Sequence, residues 1–229
     1  MKMSRQDKYY LDIEADAFFE RNKYDFELLP EKKKDLLKYF ENILVHKKIN
    51  NILEIGCHIG DLLNYSVDVT NASRGYGIEP SSAAVEIGNT KFSKKCHLMR
   101  GTAADNDIFA NLPICELILV NDVFCWISRE TLFHSIANID DSLSTNGYLI
   151  IRDFLPDKRV RNRNRHVVDN DIFCHKVPGS HASIFLQSGN YQIIQSRIFT
   201  DKNNELSRTK EYDYTENRWI DILLKKGWD

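Results

Sequence analysis

Two carboxylates and a pair of glycines carry the most legible chemistry in this chain. Glu54 sits near the end of an apolar run, Asn51-Ile-Leu-Glu-Ile, two residues before Gly56, and Gly60 follows four residues later. A strand running into such a turn brings backbone N–H groups close to a ligand, as in many nucleotide-binding α/β proteins. A pyrophosphate would meet the Glu54 carboxylate at the mouth of the turn, where like charges repel. A dinucleotide fingerprint also demands G-x-G-x-x-G, yet the second and third glycine positions hold His58 and Asp61. No Gly-Lys-Ser/Thr follows, which removes a P-loop. The ligand that fits has a cationic end and no phosphate. Glu79 closes a second apolar run, at a position where a carboxylate accepts both hydroxyls of a ribose.

Candidate proton-transfer groups lie further along. Asp122 follows Asn121 at the end of a fourth apolar run and can take a proton from a substrate hydroxyl, orient it, or simply cap a loop. His166 and His175 are two more candidate bases, because imidazole titrates near neutrality. Five cations stand between Lys158 and Arg165. Such a run is usually a solvated loop, but here it would suit an acceptor that carries phosphate. No obvious aromatic residues interleave with the arginines to stack single-stranded nucleic acid.

The elements that position these residues follow from periodicity and turn chemistry. The first fifty residues read as helical, with Pro30 at a helix start and Leu36, Leu37, Phe40, Ile43 and Leu44 at helical spacing. Strands are predicted over 51–55, 74–79, 97–100, 116–121 and 148–153. Helices are predicted from Asp61, from Ser81 or Ser82, and after Ser128, the last carrying Leu132, Phe133, Ile136, Ile139 and Leu143. The alternation argues for a parallel sheet with helices on both faces, and ligands of such sheets bind beyond the carboxyl ends of the strands. Residues 156–180 read as irregular, 181–188 as a helix, and 191–199 and 218–225 as two strands that form an antiparallel edge.

Length and composition set the outer bounds. The 229 residues suit one domain, divided as a helical lid over 1–48, a cofactor core over 49–155, an acceptor excursion over 156–190 and C-terminal strands over 191–229. The net charge of -2 gives no general reason to expect nucleic acid or an anionic membrane. No stretch approaches the roughly 18 apolar residues of a membrane span, and the N-terminus lacks an apolar signal core. Five cysteines without CxxC spacing argue against a disulfide framework or a zinc knuckle, so no metal is expected. The expected compartment is the cytoplasm, and the expected assembly a monomer or homodimer.

Glu-x-Gly-x-x-x-Gly at 54–60 resembles motif I of the class I S-adenosylmethionine-dependent methyltransferases, and Glu79-Pro80-Ser81 resembles their motif II. The resemblance implies a Rossmann-like α/β fold with a mostly parallel seven-stranded sheet and an antiparallel edge strand. It implies S-adenosylmethionine as cofactor. Glu54, Gly56, Cys57, His58 and Gly60 would then surround the methionine part, Glu79 and Pro80 the ribose, Thr102 and Ala103 the adenine, and Asn121 and Phe124 the methyl group. Asp105 would contact the base or cap a helix. The family usually has glycine where His58 stands, and a side chain there either narrows the cofactor loop or points away. Asn121-Asp-Val-Phe lacks the prolines typical of nucleic-acid amine methylases. The segment Glu14–Asn22, the Trp126-Ile-Ser-Arg129 helix start and the block from Asp153 to Tyr191 resemble a bacterial subgroup associated with surface-polysaccharide and other small-molecule pathways. That likeness makes Phe18, Phe19 and Arg21 a lid that excludes water, against the simpler reading of a helix packed on the core. It points to O-methylation of a sugar, a phosphorylated sugar or a nucleotide sugar. N-methylation of a small molecule, nucleic-acid methylation and a non-catalytic binding module are the alternatives.

Overall fold

The computed structural model describes residues 3–22, 30–167, 172–200 and 218–227. The chain opens with α1 (Arg5–Tyr9), a π-helical turn (Tyr10–Glu14) and α2 (Ala15–Asn22), then α3 (Pro30–Leu44). The alternating core follows as β1 (Asn51–Ile55), α4 (Asp61–Thr70), β2 (Arg74–Glu79), α5 (Ser82–Phe92), β3 (Cys96–Arg100), α6 (Asn106–Ala110) and β4 (Cys115–Asn121). A 3-10 turn (Phe124–Trp126) leads to α7 (Leu132–Ser142) and β5 (Leu143–Phe154). The remainder is β6 (Val160–Arg163), β7 (Phe173–Lys176), α8 (Ala182–Gln187), β8 (Tyr191–Thr200) and β9 (Arg218–Lys226).

Seven strands form one sheet in the order β3-β2-β1-β4-β5-β9-β8. The neighbouring pairs from β3 to β5 are parallel, and β9 runs antiparallel to both β5 and β8. The antiparallel pair thus lies at the edge, with β9 inside and β8 outermost. Composition explains the order. Ile222, Leu223 and Leu224 of β9 are buried, whereas β8 leaves Ile193, Ile194 and Ile198 exposed.

Alternation along the strands builds two cores. Leu53, Ile118, Val120, Leu149 and Ile151 face Leu132, Ile136 and Ile139 of α7 and Phe185 of α8. Ile52, Leu117, Leu119 and Ile150 face Leu36, Leu37 and Phe40 of α3 and Leu62, Leu63 and Val67 of α4. Helices therefore cover both faces, and strand order reverses between β1 and β4, where such sheets place their ligand crevice.

Three local expectations are corrected. Residues 156–180 contain an antiparallel hairpin, with Val160 opposite Lys176 and Arg163 opposite Phe173. Ser128 does not cap α7. Its hydroxyl accepts from the Glu130 N–H, and Thr131 occupies the cap position. Phe133 is 71% exposed, and Leu143 begins β5 rather than extending the helix. Among the described residues no helix is long and apolar enough to cross a membrane, and no group of His, Cys, Asp and Glu is placed to hold a metal ion.

Candidate active site

The turn after β1 is held by β2. Gly56 and Cys57 both donate to the Ile78 carbonyl, at 2.8 and 3.3 Å. Gly56 has φ +70, and a side chain there would bring Cβ within 2.4 Å of Val123, so glycine is required. His58 also has a left-handed φ, +53, which explains why a glycine was expected there. Its ring turns toward the lid and lies 5.3 Å from that of Phe19, while the residue still borders the cavity. Gly60, at φ +82, starts α4 and does not line the cavity; its contribution is the shape of the turn.

Glu79 joins the turns after β1 and β2. Its Oε2 accepts the His58 N–H and its Oε1 the Ser81 N–H, each at 2.9 Å. A carboxylate has about four acceptor sites, so these bonds orient the group without exhausting it. Ser81 caps α5 through Ala84, as the sequence suggests. Asp105 is a helix cap, accepting from the Ile108 N–H at 3.4 Å, and stands outside the cavity lining. Thr102 and Ala103 do line it, and Asn138 fixes this turn by donating to the Ala103 carbonyl at 3.1 Å.

These residues surround one cavity of about 700 Å³ at the carboxyl ends of the strands. Glu54, Gly56, Cys57, His58, Glu79, Pro80, Thr102, Ala103, Asn121 and Asp122 border it from the β1, β2, β3 and β4 ends. Tyr10, Glu14, Phe18, Trp126, Phe154, Asn164 and Lys176 border it from the lid, the β4 and β5 ends and the hairpin. Phe124 does not reach it. The side chain is fully buried beneath, packed on His181 and Phe185, which corrects its expected place beside the cofactor. An apolar residue in a 3-10 turn over the sheet gains more from full burial in the core than from an open crevice.

Asp122 has a left-handed φ of +57, and its Oδ1 is buried with no hydrogen-bond partner among the described residues. Burial pushes its carboxyl up to about 7. Arg152 opposes that rise, Asp153 and Asp221 add to it, and the Trp219 side chain opposes it by a hydrogen bond. Asn121 Oδ1 is likewise buried without a partner among the described residues. Two buried acceptors without a hydrogen-bond partner among the described residues thus lie on neighbouring residues where β4 ends.

The other candidate bases fare differently. His166 is exposed at the rim, its N–H donating to Asn164 at 3.0 Å. His175 lies outside the cavity lining, half-buried with its ring 6.2 Å from that of Phe173. Burial first, then Arg129 and Arg161, push it down to about 4, which makes it a poor proton acceptor at neutral pH. Of the expected lid residues, Phe18 lines the cavity, Phe19 packs with Ile59 and Ala84, and Arg21 pairs with Glu14 at 2.7 Å.

Tyr10 and Glu14 also line the cavity. Tyr10, Glu14 and Phe18 recur every four residues, a spacing that places them on one helix face. Glu14 is 3% exposed and also accepts from Asn164 at 3.1 Å. Burial raises the Tyr10 phenol, Glu14 raises it further, and a hydrogen bond with Asn164 opposes both. Lys176, 7% exposed, holds its ammonium 3.8 Å over the Phe154 ring.

This architecture has many solved counterparts. A 1,6-didemethyltoxoflavin-N1-methyltransferase of Burkholderia thailandensis, crystallised with 1,6-didemethyltoxoflavin and S-adenosylhomocysteine, is 11% identical with a TM-score of 0.67, covering 100% of this chain and 93% of that one. The N-methyltransferase NodS of Bradyrhizobium japonicum, in complex with S-adenosylhomocysteine, is 13% identical with a TM-score of 0.60, covering 97% and 99%. An O-methyltransferase from a Brevibacillus brevis trans-AT PKS multienzyme, also with S-adenosylhomocysteine, is 13% identical with a TM-score of 0.63, covering 98% and 80%. No curated protein sequence matches this chain. Residues 21–195 match the family described as methyltransferase domain, so the turn after β1, the Glu79 corner and the crevice above them are those of a chain that belongs to the methyltransferase-domain family.

Proposed function

We propose that this chain is an S-adenosylmethionine-dependent methyltransferase that methylates an oxygen of a small molecule, a sugar or a phosphorylated or nucleotide sugar. The residues fit that cofactor. Gly56 and Glu54 border the cavity, where Glu54 would meet a cationic amino group, and Glu79 is oriented to accept a ribose diol. When bound, S-adenosylmethionine supplies a methyl group on a cationic sulfur, which is already a good leaving group. The chain aligns the acceptor, excludes water beneath Phe18 and Trp126, and removes the acceptor proton.

The observation that carries the oxygen reading is Asp122. A carboxyl raised to about 7, on a residue that borders the cavity, is matched to taking a hydroxyl proton near neutral pH. Arg163, Arg165 and Lys176 on the hairpin wall favour an acceptor carrying phosphate. N-methylation is a second reading, supported by Asn121 and Asp122, which border the cavity and whose side-chain oxygens can also accept from an amine.

Calorimetry tests the cofactor. The parent chain is expected to bind S-adenosylhomocysteine, and Glu79→Ala to weaken that binding by about tenfold or more, roughly 1.4 kcal/mol. No binding by the parent at millimolar concentration would remove the assignment. A nucleotide-sugar library, read out by release of S-adenosylhomocysteine, then tests the acceptor. Turnover confined to amines would replace the oxygen reading.

A further inference from the structure

The 3-10 turn Phe124–Trp126 is one turn long; its Phe124 carbonyl accepts the Ile127 N–H at 3.3 Å, and its last carbonyls lie beyond the turn's own bonds. Side chains from elsewhere hold them. Arg129 Nη2 donates to the carbonyls of Phe124 at 2.8 Å and Ile127 at 2.7 Å. Gln6 Nε2 donates to the carbonyl of Trp126. The other guanidinium arm, Nη1, lies 2.8 Å from His181 Nε2. Guanidinium nitrogens only donate, so Nε2 accepts and the imidazole carries its proton on Nδ1. That proton faces Asp153 Oδ2 at 2.7 Å, and the same oxygen accepts the His181 N–H at 2.7 Å. Asp153 Oδ1 accepts the Phe154 N–H at 2.8 Å.

This relay is sealed from water. His181 and Asp153 are each 1% exposed, and the imidazole stacks on Phe124 with ring centroids 5.7 Å apart. Arg129 Nε is buried with no partner among the described residues. The guanidinium thus forgoes a bond at Nε while its fork holds two carbonyls and an imidazole. The held turn carries Trp126, which borders the cavity, and begins two residues after Asp122. Cys125 Sγ closes the turn back onto the Asp122 carbonyl at 3.7 Å.

We propose that Arg129, braced by the buried His181–Asp153 pair, is a positioning residue for methyl transfer that fixes the turn carrying Trp126 and, through it, the carboxylate of Asp122. The part concerning Asp122 rests on the methyltransferase reading; the fixing of Trp126 does not.

The full chain labelled with fluorotryptophan reports the turn by fluorine NMR, with the Trp126 resonance assigned through Trp126→Phe. Arg129→Lys keeps the charge but cannot reproduce the planar fork. The Trp126 resonance is expected to shift or split in Arg129→Lys and Arg129→Ala, while affinity for S-adenosylhomocysteine stays within about twofold. Methylguanidinium added to Arg129→Ala is expected to restore the parent resonance. On an acceptor found by the screen, kcat should fall roughly tenfold or more with the KM for S-adenosylmethionine unchanged. His181→Asn, which keeps a donor toward Asp153 but removes the partner of Arg129 Nη1, should produce the same shift if an Arg129 variant does not fold. An unchanged Trp126 resonance in these variants overturns the proposal, as does a loss of turnover that merely tracks lost cofactor affinity. If the parent binds no S-adenosylhomocysteine, the methyltransferase reading falls, while the Trp126 resonance of the free chain still judges the relay.

Discussion

Asp122 joins stability to chemistry through one carboxyl. Its folded value of about 7 lies above the roughly 3.9 of an unfolded aspartate, so between those values the folded chain holds more proton. Stability contributed by this group is therefore greatest at acid pH and falls as pH rises through about 7, while the base form needed for turnover grows in over the same interval. Asp122→Asn is expected to cut kcat by roughly a hundredfold with little change in cofactor affinity. It should also raise Tm at pH 8 by about 2–4 °C for each kcal/mol of relieved burial, and much less at pH 4. Scanning calorimetry at both pH values and single-turnover assays check this; parent-level turnover would show that Asp122 is not the base. His58 carries a different cost. Its left-handed backbone disfavours any side chain, while its ring contact with Phe19 repays part of that. Urea denaturation should find His58→Gly more stable than His58→Ala by about 1 kcal/mol, because both lose the ring and only glycine relieves the backbone. Both positions were visible in the sequence as residue types at strand ends. The rise at Asp122 was not, since it depends on burial and on Asp153 and Asp221, set against Arg152 and Trp219, all brought together from other strands.

The N-terminal helices are fastened in part by Asp16, beside Asp7, which accepts from the Thr131 hydroxyl, and Glu14, which accepts from Asn164. Asp16 of α2 accepts from the hydroxyls of Ser81 at 2.6 Å and Ser82 at 2.7 Å, and from the Ala83 N–H at 3.1 Å. It thereby supplies a cap to the N-terminus of α5 from another helix. Burial opposes ionisation here, but the three hydrogen bonds and Arg100 outweigh it and hold the carboxyl below the usual range. The stability it adds is present above the unfolded value and is lost as pH falls through the folded one. Asp16→Ala is expected to cost about 1 kcal/mol and to speed hydrogen exchange over residues 5–22, leaving the sheet protected. Unaltered exchange in α1 and α2 would mean that Phe19 and the Gln6 contacts suffice. The N-terminal helices, the strands from β1 to β5 and the helices between them are legible from period and turn residues. The β6–β7 hairpin was not, because Val160–Arg163 is a polar, charged run whose pairing with Phe173–Lys176 supplies what its composition lacks.

Across the whole molecule, one buried acid ties the added edge to the parallel core. Asp221 of β9 is 0% exposed and accepts from Arg152 of β5 at 2.6 and 2.7 Å and from Arg197 of β8 at 2.9 Å. Asp35 of α3 pairs with Arg197 and lies 3.7 Å from Arg152, drawing a helix into the same network. Asp221→Ala leaves Arg152 without its closest partner and is expected to cost about 3–5 kcal/mol. A urea midpoint within error of the parent would show the network to be dispensable. The strand and helix pattern, the glycine turn with its acid, and Glu79 at the end of β2 were all fixed locally, because a period of 2 or 3.6, a left-handed turn and a strand terminus are properties of neighbouring residues. That is why the family and its cofactor could be read from one chain. The wall opposite was decided only by tertiary closure. Residues 10, 14, 126, 164 and 176 meet around one cavity, Phe124 turns into the core, and His181 reaches Asp153 and Arg129, because burial and hydrogen-bond satisfaction are settled between segments far apart in the chain.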